Sequence, residues 1–163
     1  LGNQNPVAGP FYNFTVPEPT GIVGVIAPDD EPLLGLVSLI APVLCSGNVV
    51  VALGSKAHPL TTAVLSEVAA VSDFPAGSLN LLTGRRGELL EILAGYRSVD
   101  GIHAAGCSEA EKRTLELGSA ENLKRVVARA DESVDWYDDS ECQSPYWIES
   151  FVDFKTLWHP RAS

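Results

Sequence analysis

The sequence predicts an α/β fold: an open parallel sheet with helices on both faces, plus strands contributed by the two ends of the chain. Three observations predict it. Short runs rich in Val, Ile and Leu recur at 21–27 (GIVGVIA), 49–53 (VVVAL) and 79–82 (LNLL). The first is apolar on both faces and the second reads as buried, as strands inside a parallel sheet are; the third is a further strand. Stretches of helical length separate them, and this alternation is the pattern of a sheet wound by crossover helices. A β-branched and aromatic stretch near the start (11–16, FYNFTV) and an alternating one near the end (151–158, FVDFKTLW) read as strands outside the alternation.

Taken in order, residues 1–10 (LGNQNPVAGP) are a Gly, Asn and Pro linker. The strand at 11–16 is followed by a turn at 17–20 and the buried strand at 21–27. After Pro28 to Glu31, residues 32–44 (PLLGLVSLIAPVL) form an apolar helix that Pro42 kinks or ends. Ser46-Gly47-Asn48 turns the chain into the strand at 49–53. Pro59 sits near the first turn of the next helix, 58–71, where its missing N–H costs nothing. A loop (DFPAG), the strand at 79–82 and a helix at 87–94 follow. Then come a strand at 99–104 (VDGIHA), a charged helix at 109–117 and a strand at 123–128 (LKRVVA). Residues 131–141 (DESVDWYDDSE) are acidic and weakly patterned. No internal repeat is evident.

The 163 residues suffice for one domain with a core, and the hydrophobic fraction of 45 % is that of a globular protein. A net charge of −10 makes nucleic acid and anionic membrane surfaces poor partners, because phosphate binding needs clustered Lys and Arg. No segment approaches the roughly 18 uninterrupted apolar residues of a membrane helix, and no signal peptide stands at the start. Cys45, Cys107 and Cys142 are too few and too irregularly spaced for a disulfide framework or a C-x-x-C metal site. They fit a reducing compartment, and a cytoplasmic location is expected. With no Met and a start at Leu1, the chain is expected to be a domain of a longer polypeptide.

The order of motifs resembles the aldehyde dehydrogenase superfamily over about residues 10–125 and again over about 143–160. Family members carry P-x-G-V-V-G-V-I-x-P-W-N-x-P-L, and 19–33 here read PTGIVGVIAPDDEPL. Residues 41–54 (APVLCSGNVVVALG) match A-P-A-L-A-x-G-N-x-V-V-x-K-P, and 58–63 (HPLTTA) match T-P-L-T-A. Residues 73–84 (DFPAGSLNLLTG) match G-F-P-x-G-V-L-N-V-V-x-G. Residues 99–111 (VDGIHAAGCSEAE) match V-D-x-I-x-F-T-G-S-T-x-x-G, and 122–126 match N-L-K-R-V. The resemblance implies a Rossmann-like NAD(P) domain at 21–130 and oligomerisation strands at 11–20 and 143–163. A short connection at 131–142 then stands where the family has its catalytic domain.

The same resemblance lets each chemical position be checked. The family's reaction uses a cysteine thiolate, hydride transfer to NAD and a neutral donor for the oxyanion. The Asn that supplies this donor falls at Asp30, which cannot donate when ionised; its flanking Trp falls at Asp29. The Lys and Glu that hold the adenosine ribose fall at Leu53 and Lys56. The Ser and second Gly of the G-S-T-x-x-G motif fall at Cys107 and Glu111, and the catalytic Glu falls at Arg129. Glu116 lies in a look-alike LELG, but it precedes N-L-K-R-V instead of following it and reads as a surface helix residue. Cys142 is followed by Gln143-Ser144-Pro145-Tyr146, which resembles a family motif beyond the catalytic domain, so it is not expected to be the nucleophile. Cys45 reads as a buried, inert thiol. His58, His103 and His159 share no ligand spacing, no metal is expected, and His103 stands where the family has Phe. Trp136, Trp147 and Trp158 read equally as interface anchors or as cover for the sheet.

The expectation is a non-catalytic, degenerate module that serves assembly, similar to the C-terminal part of aldehyde dehydrogenase family 16. Its partners would be an active module of the same chain and a second copy. Phe11, Tyr12, Phe14, Phe151, Phe154 and Trp158 would be the interface residues. No cofactor is expected. The alternative is a domain that holds NAD(P) or another nucleotide without turnover. A third reading is part of an active NAD-dependent enzyme whose catalytic segment lies outside this sequence.

Overall fold

A computed structural model describes residues 2–129 and 134–160. The chain runs β1 (Asn3–Asn5), β2 (Phe11–Pro19), β3 (Ile22–Ile26), α1 (Leu34–Cys45), β4 (Val49–Leu53), α2 (Pro59–Ala70) and β5 (Leu79–Leu82). It continues as α3 (Arg86–Gly95), β6 (Gly101–Ala105), α4 (Glu109–Ala120), β7 (Arg125–Arg129), α5 (Asp139–Cys142), α6 (Pro145–Glu149) and β8 (Val152–Pro160).

Five strands form a parallel sheet in the order β5-β4-β3-β6-β7. From β3 the chain winds outward to β4 and β5, then returns to the other side of β3 for β6 and β7. The reversal opens a crevice at the carboxyl ends of β3 and β6, the place where open α/β sheets take ligands. Val23, Val25 and Ile26 of β3 and Ile102 and Ala104 of β6 are fully buried, which explains their unbroken apolar runs. Gly24 lets α3 come close: a Cβ there would stand 2.8 Å from a Leu93 methyl. On one face α1 packs Leu36, Leu39, Ile40 and Val43 into the main cluster, a spacing of three and four that makes one helical stripe. On the other, Leu90 and Ala94 of α3 join Leu115 of α4 against Ile26, Ile102 and Ala104. Pro42 does not end α1, which runs on to Cys45 with the proline ring buried.

Five expectations are corrected. Cys45, expected to be buried, is exposed at the end of α1. Part of the linker at 1–10 is β1, which pairs antiparallel with β2. The turn expected at 17–20 is instead the end of β2, whose nine residues pair with β8 from Phe11↔Pro160 to Pro19↔Val152. Pro17 and Pro19 fall beyond the reach of β1, and period two puts both missing donors on the same side of the strand. Such an uncovered edge is where a strand tolerates proline. The weakly patterned acidic stretch leads into α5 and α6, which lay Trp136 and Trp147 onto the main cluster; they cover the sheet. Phe151, expected in the terminal strand and its interface, precedes β8 and is fully buried beside them, so it is a core residue.

The β1-β2-β8 sheet is rooted to the domain at one end. Asn48 donates to the Phe151 carbonyl at 2.9 Å and accepts from Gly21 N–H at 2.7 Å. Arg125 donates to the Ser150 carbonyl at 2.9 Å and pairs with Asp153 at 2.7 Å. Past Val152, every β8 residue after Asp153 is exposed. No helix among the described residues is long and apolar enough to cross a membrane.

Candidate functional site

The crevice is built from the residues that follow β3, β4 and β6 and from the start of α3. Asp29, just past β3, turns toward the loop after β4. Its Oδ1 accepts from the Ser55 hydroxyl at 2.7 Å and from the N–H groups of Lys56 at 2.8 Å and Ala57 at 3.2 Å. Partial burial alone would raise its pKa. The Ser55 hydroxyl, the Ala57 N–H, the Arg86 charge and the Lys56 N–H together hold it below the usual carboxylate value. Gly54 permits this loop: a Cβ there would fall 1.8 Å from Thr62 Oγ1 of α2.

Arg86, at the first position of α3, is buried between the two central strands. Its guanidinium donates through Nη2 to the Ala27 carbonyl at 2.5 Å and through Nη1 to the Gly106 carbonyl. It also lies 3.9 Å from Asp29 Oδ2. Across the crevice, α4 opens on a reciprocal cap. Ser108 Oγ accepts from Glu111 N–H, and the Glu111 carboxylate accepts from Ser108 N–H at 2.8 Å. Asp29, Lys56, Arg85, Arg86, Glu88 and Glu111 line a cleft of about 590 Å³ with three cations and three anions.

The sequence-derived positions therefore separate into groups. Lys56 and Glu111 share this cleft. Leu53 is buried, offers no side-chain donor, and lines a different cavity, an apolar one of about 310 Å³ between α3 and the sheet. Cys107 is buried, with its Sγ 3.7 Å from the Ala105 carbonyl. Asp30 is exposed and is not among the cleft's lining residues.

Arg129 belongs to a second cluster. It ends β7 and donates from Nε to His103 Nε2 at 2.8 Å. His103 is fully buried and its Nδ1 is 3.0 Å from the Leu39 carbonyl. A carbonyl can only accept, so the proton sits on Nδ1 and Nε2 is free to accept from Arg129. Burial first, and then the Arg129 charge, push the His103 pKa down to about 3, against the pull of the Leu39 carbonyl. The Arg129 guanidinium lies over Trp147, 3.4 Å from the ring centroid. Burial lowers its pKa to about 10, so it stays charged at neutral pH. Beside it, burial and the charges of Glu141, Asp138 and Asp135 push the Cys142 thiol up, away from a nucleophilic thiolate. Among the described residues no cluster could hold a metal ion.

Of the expected interface residues, Phe11, Phe154 and Trp158 are exposed and Tyr12 and Phe14 are half-buried. Phe11 and Trp158 meet edge to face at 6.0 Å on one side of the ribbon; Tyr12 and Phe14 lie 5.4 Å apart on the other. Arg86 and Arg125 carry much of the geometry and were not singled out by the sequence. Trp147, which carries the cation over its ring, was marked as one of three late tryptophans.

The comparisons agree with the fold. The model of the aldehyde dehydrogenase family matches residues 2–130. Retinal dehydrogenase 2 of Homo sapiens is 36 % identical over 126 residues, covering 77 % of this chain and 24 % of its own. Aldehyde dehydrogenase, cytosolic 1 of Elephantulus edwardii is 32 % identical over 126 residues, covering 77 % and 25 %. Among solved structures, PnpE from Pseudomonas sp. WBC-3 superposes with a TM-score of 0.74 at 30 % identity, covering 79 % of this chain and 26 % of PnpE. PnpE has also been solved with nicotinamide adenine dinucleotide, and that structure has a TM-score of 0.75 to this chain. Betaine aldehyde dehydrogenase of Staphylococcus aureus, in complex with NAD+, gives 0.74 at 29 % identity, covering 79 % and 26 %. The chain thus spans about a quarter of the length of these relatives, and the matched part is their Rossmann-like domain. With the family model covering most of its length, the chain belongs to the aldehyde dehydrogenase family.

Proposed function

We propose that this chain is a non-catalytic aldehyde dehydrogenase module whose work is assembly. The observation that carries the reading is the ribbon. β8 is an edge strand of nine residues, with Phe154, Leu157 and Trp158 exposed along it and β2 on its other side. An exposed edge of this length, with aromatic side chains on both faces, suits strand addition to another sheet, where main-chain hydrogen bonds give affinity and side chains give register. The partners are a second copy and an aldehyde dehydrogenase module of the same polypeptide, in the cytoplasm; three sparse, irregularly spaced cysteines suit that compartment. The parent protein is then an NAD-dependent aldehyde dehydrogenase.

The altered positions support the non-catalytic half of the reading. Arg129 stands where the family's base would be and is engaged with His103 and Trp147. Cys142 is held as a thiol. Sedimentation velocity on the protein carrying Phe154→Ser, Leu157→Ser and Trp158→Ser tests the assembly role. The ribbon's root is untouched by these changes, so the fold should persist while the assembled species shifts to a smaller mass. An unchanged mass distribution counts against the proposal.

A further inference from the structure

We infer that the crevice at the switch point of the sheet is a structural joint, with Arg86 as its permanent occupant, and that a nicotinamide dinucleotide does not enter it. Three sets of contacts carry this. First, Arg86 ties Ala27, just past β3, to Gly106, just past β6, through one Nη on each carbonyl. These are the two strand ends between which a ligand would have to lie. A free arginine would attract a diphosphate, with which it forms strong paired bonds. Here the side chain is only 10 % exposed and each Nη gives a hydrogen bond to a backbone oxygen. Displacing it strands two carbonyls and a charge in a buried place, which is costly.

Second, the N-terminus of α4 is already capped from within. A helix N-terminus binds a diphosphate through free N–H groups. The Ser108 N–H and hydroxyl both go to the Glu111 carboxylate. An incoming phosphate would have to displace one anion and lie beside it. Third, Asp29 collects the donors of the loop after β4: the Ser55 hydroxyl and the N–H groups of Lys56 and Ala57. The Arg86 guanidinium, the Ser108 N–H, the Ser55 hydroxyl and the N–H groups of Lys56 and Ala57 are each paired with a group of the chain itself. The crevice therefore holds its shape without a ligand. This inference stands apart from the assembly reading, since a module could assemble with or without a bound dinucleotide.

Labelling with phenylglyoxal, read arginine by arginine by peptide mass spectrometry, tests it on the intact protein. Arg85 is exposed and serves as the internal reference. The expected result is that Arg86 reacts at least tenfold more slowly than Arg85, at the same rate with and without 1 mM NAD, NADP or pyrophosphate. Calorimetric titration should show no saturable binding of NAD or NADP tighter than about 1 mM. The Arg86→Lys variant keeps the charge but cannot bridge both carbonyls, and it should melt roughly 4 °C or more lower without gaining NAD binding. Arg86 reacting as fast as Arg85, protection by a dinucleotide, submillimolar binding, or an unchanged melting temperature in Arg86→Lys each overturns the inference.

Discussion

Arg129 donates its Nε–H to His103 Nε2 at 2.8 Å while its guanidinium carbon stands 3.4 Å over the Trp147 ring. The contact joins the end of β7 to the middle of β6 and to α6. It places a cation where the resemblance puts the family's catalytic glutamate, and it fastens the late helices to the sheet.

Replacing Arg129 by Ala should therefore cost stability. The change leaves the buried Nε2 of His103 without its donor and removes a cation from the Trp147 face, together about 2–3 kcal/mol. Urea denaturation followed by circular dichroism measures it. Arg129→Glu, which installs the family's residue type, should cost more, because a carboxylate cannot donate to Nε2. It should yield no NAD-dependent aldehyde oxidation. A stable Arg129→Glu protein would remove the structural role from the cluster, and an active one would contradict the non-catalytic reading.

The same histidine predicts acid sensitivity. In the unfolded chain His103 titrates near 6.5, and in the fold burial holds it at about 3. Between these values the unfolded state binds more protons, so stability falls as pH drops from about 6.5 toward 3. The slope approaches about 1.4 kcal/mol per pH unit. Asp29, whose pKa is also depressed, adds loss in the same direction below the ordinary carboxylate range. The variant His103→Phe should flatten the profile between pH 6 and pH 4.5, above most carboxylate titration. An unchanged slope there, measured by denaturant midpoint against pH, would assign the sensitivity to other groups.

Asp29 is expected to matter as a loop organiser. Asp29→Ala releases one hydroxyl and two N–H donors. Because the residue is partly exposed, water takes over some of these bonds, and the cost should be about 1–2 kcal/mol. Asp30→Ala, at an exposed neighbour, should cost under about 0.5 kcal/mol. Thermal melts of the two variants should differ by several degrees; equal melts would remove the organising role from Asp29.

These residues also show where the sequence was legible. The strands at 21–27 and 49–53 were readable because burial on both faces demands unbroken apolar runs, and β3 and β4 lie within them; β5, at the sheet edge with Asn80 and Leu82 exposed, was readable from its leucines alone. The strand β1 was not, because Asn3–Asn5 has no hydrophobic pattern. It is held partly by side-chain bonds such as Asn5 to Thr15 at 2.9 Å. The segment Pro17-Glu18-Pro19 reads locally as a turn, and only pairing with a strand over 130 residues later makes it extended. The helices α5 and α6, of four and five residues, are too short to show a period. In the candidate site, spacing against the family marked Lys56, Glu111 and Arg129 as altered. Nothing local distinguishes Arg86, buried between two strands, from Arg85, which pairs with Glu88 in solvent. Their difference is made by the direction of α3, a tertiary fact.

The assembly role makes its sharpest demand on the outer edge of β8. Hydrogen–deuterium exchange of the protein, followed by mass spectrometry over a concentration series, reads that edge directly. The account predicts that amides in Val152–Pro160 exchange more slowly as concentration rises and the protein associates, while those of the other sheet's edge strand, Leu79–Leu82, do not change. Association with no added protection in Val152–Pro160 would contradict it.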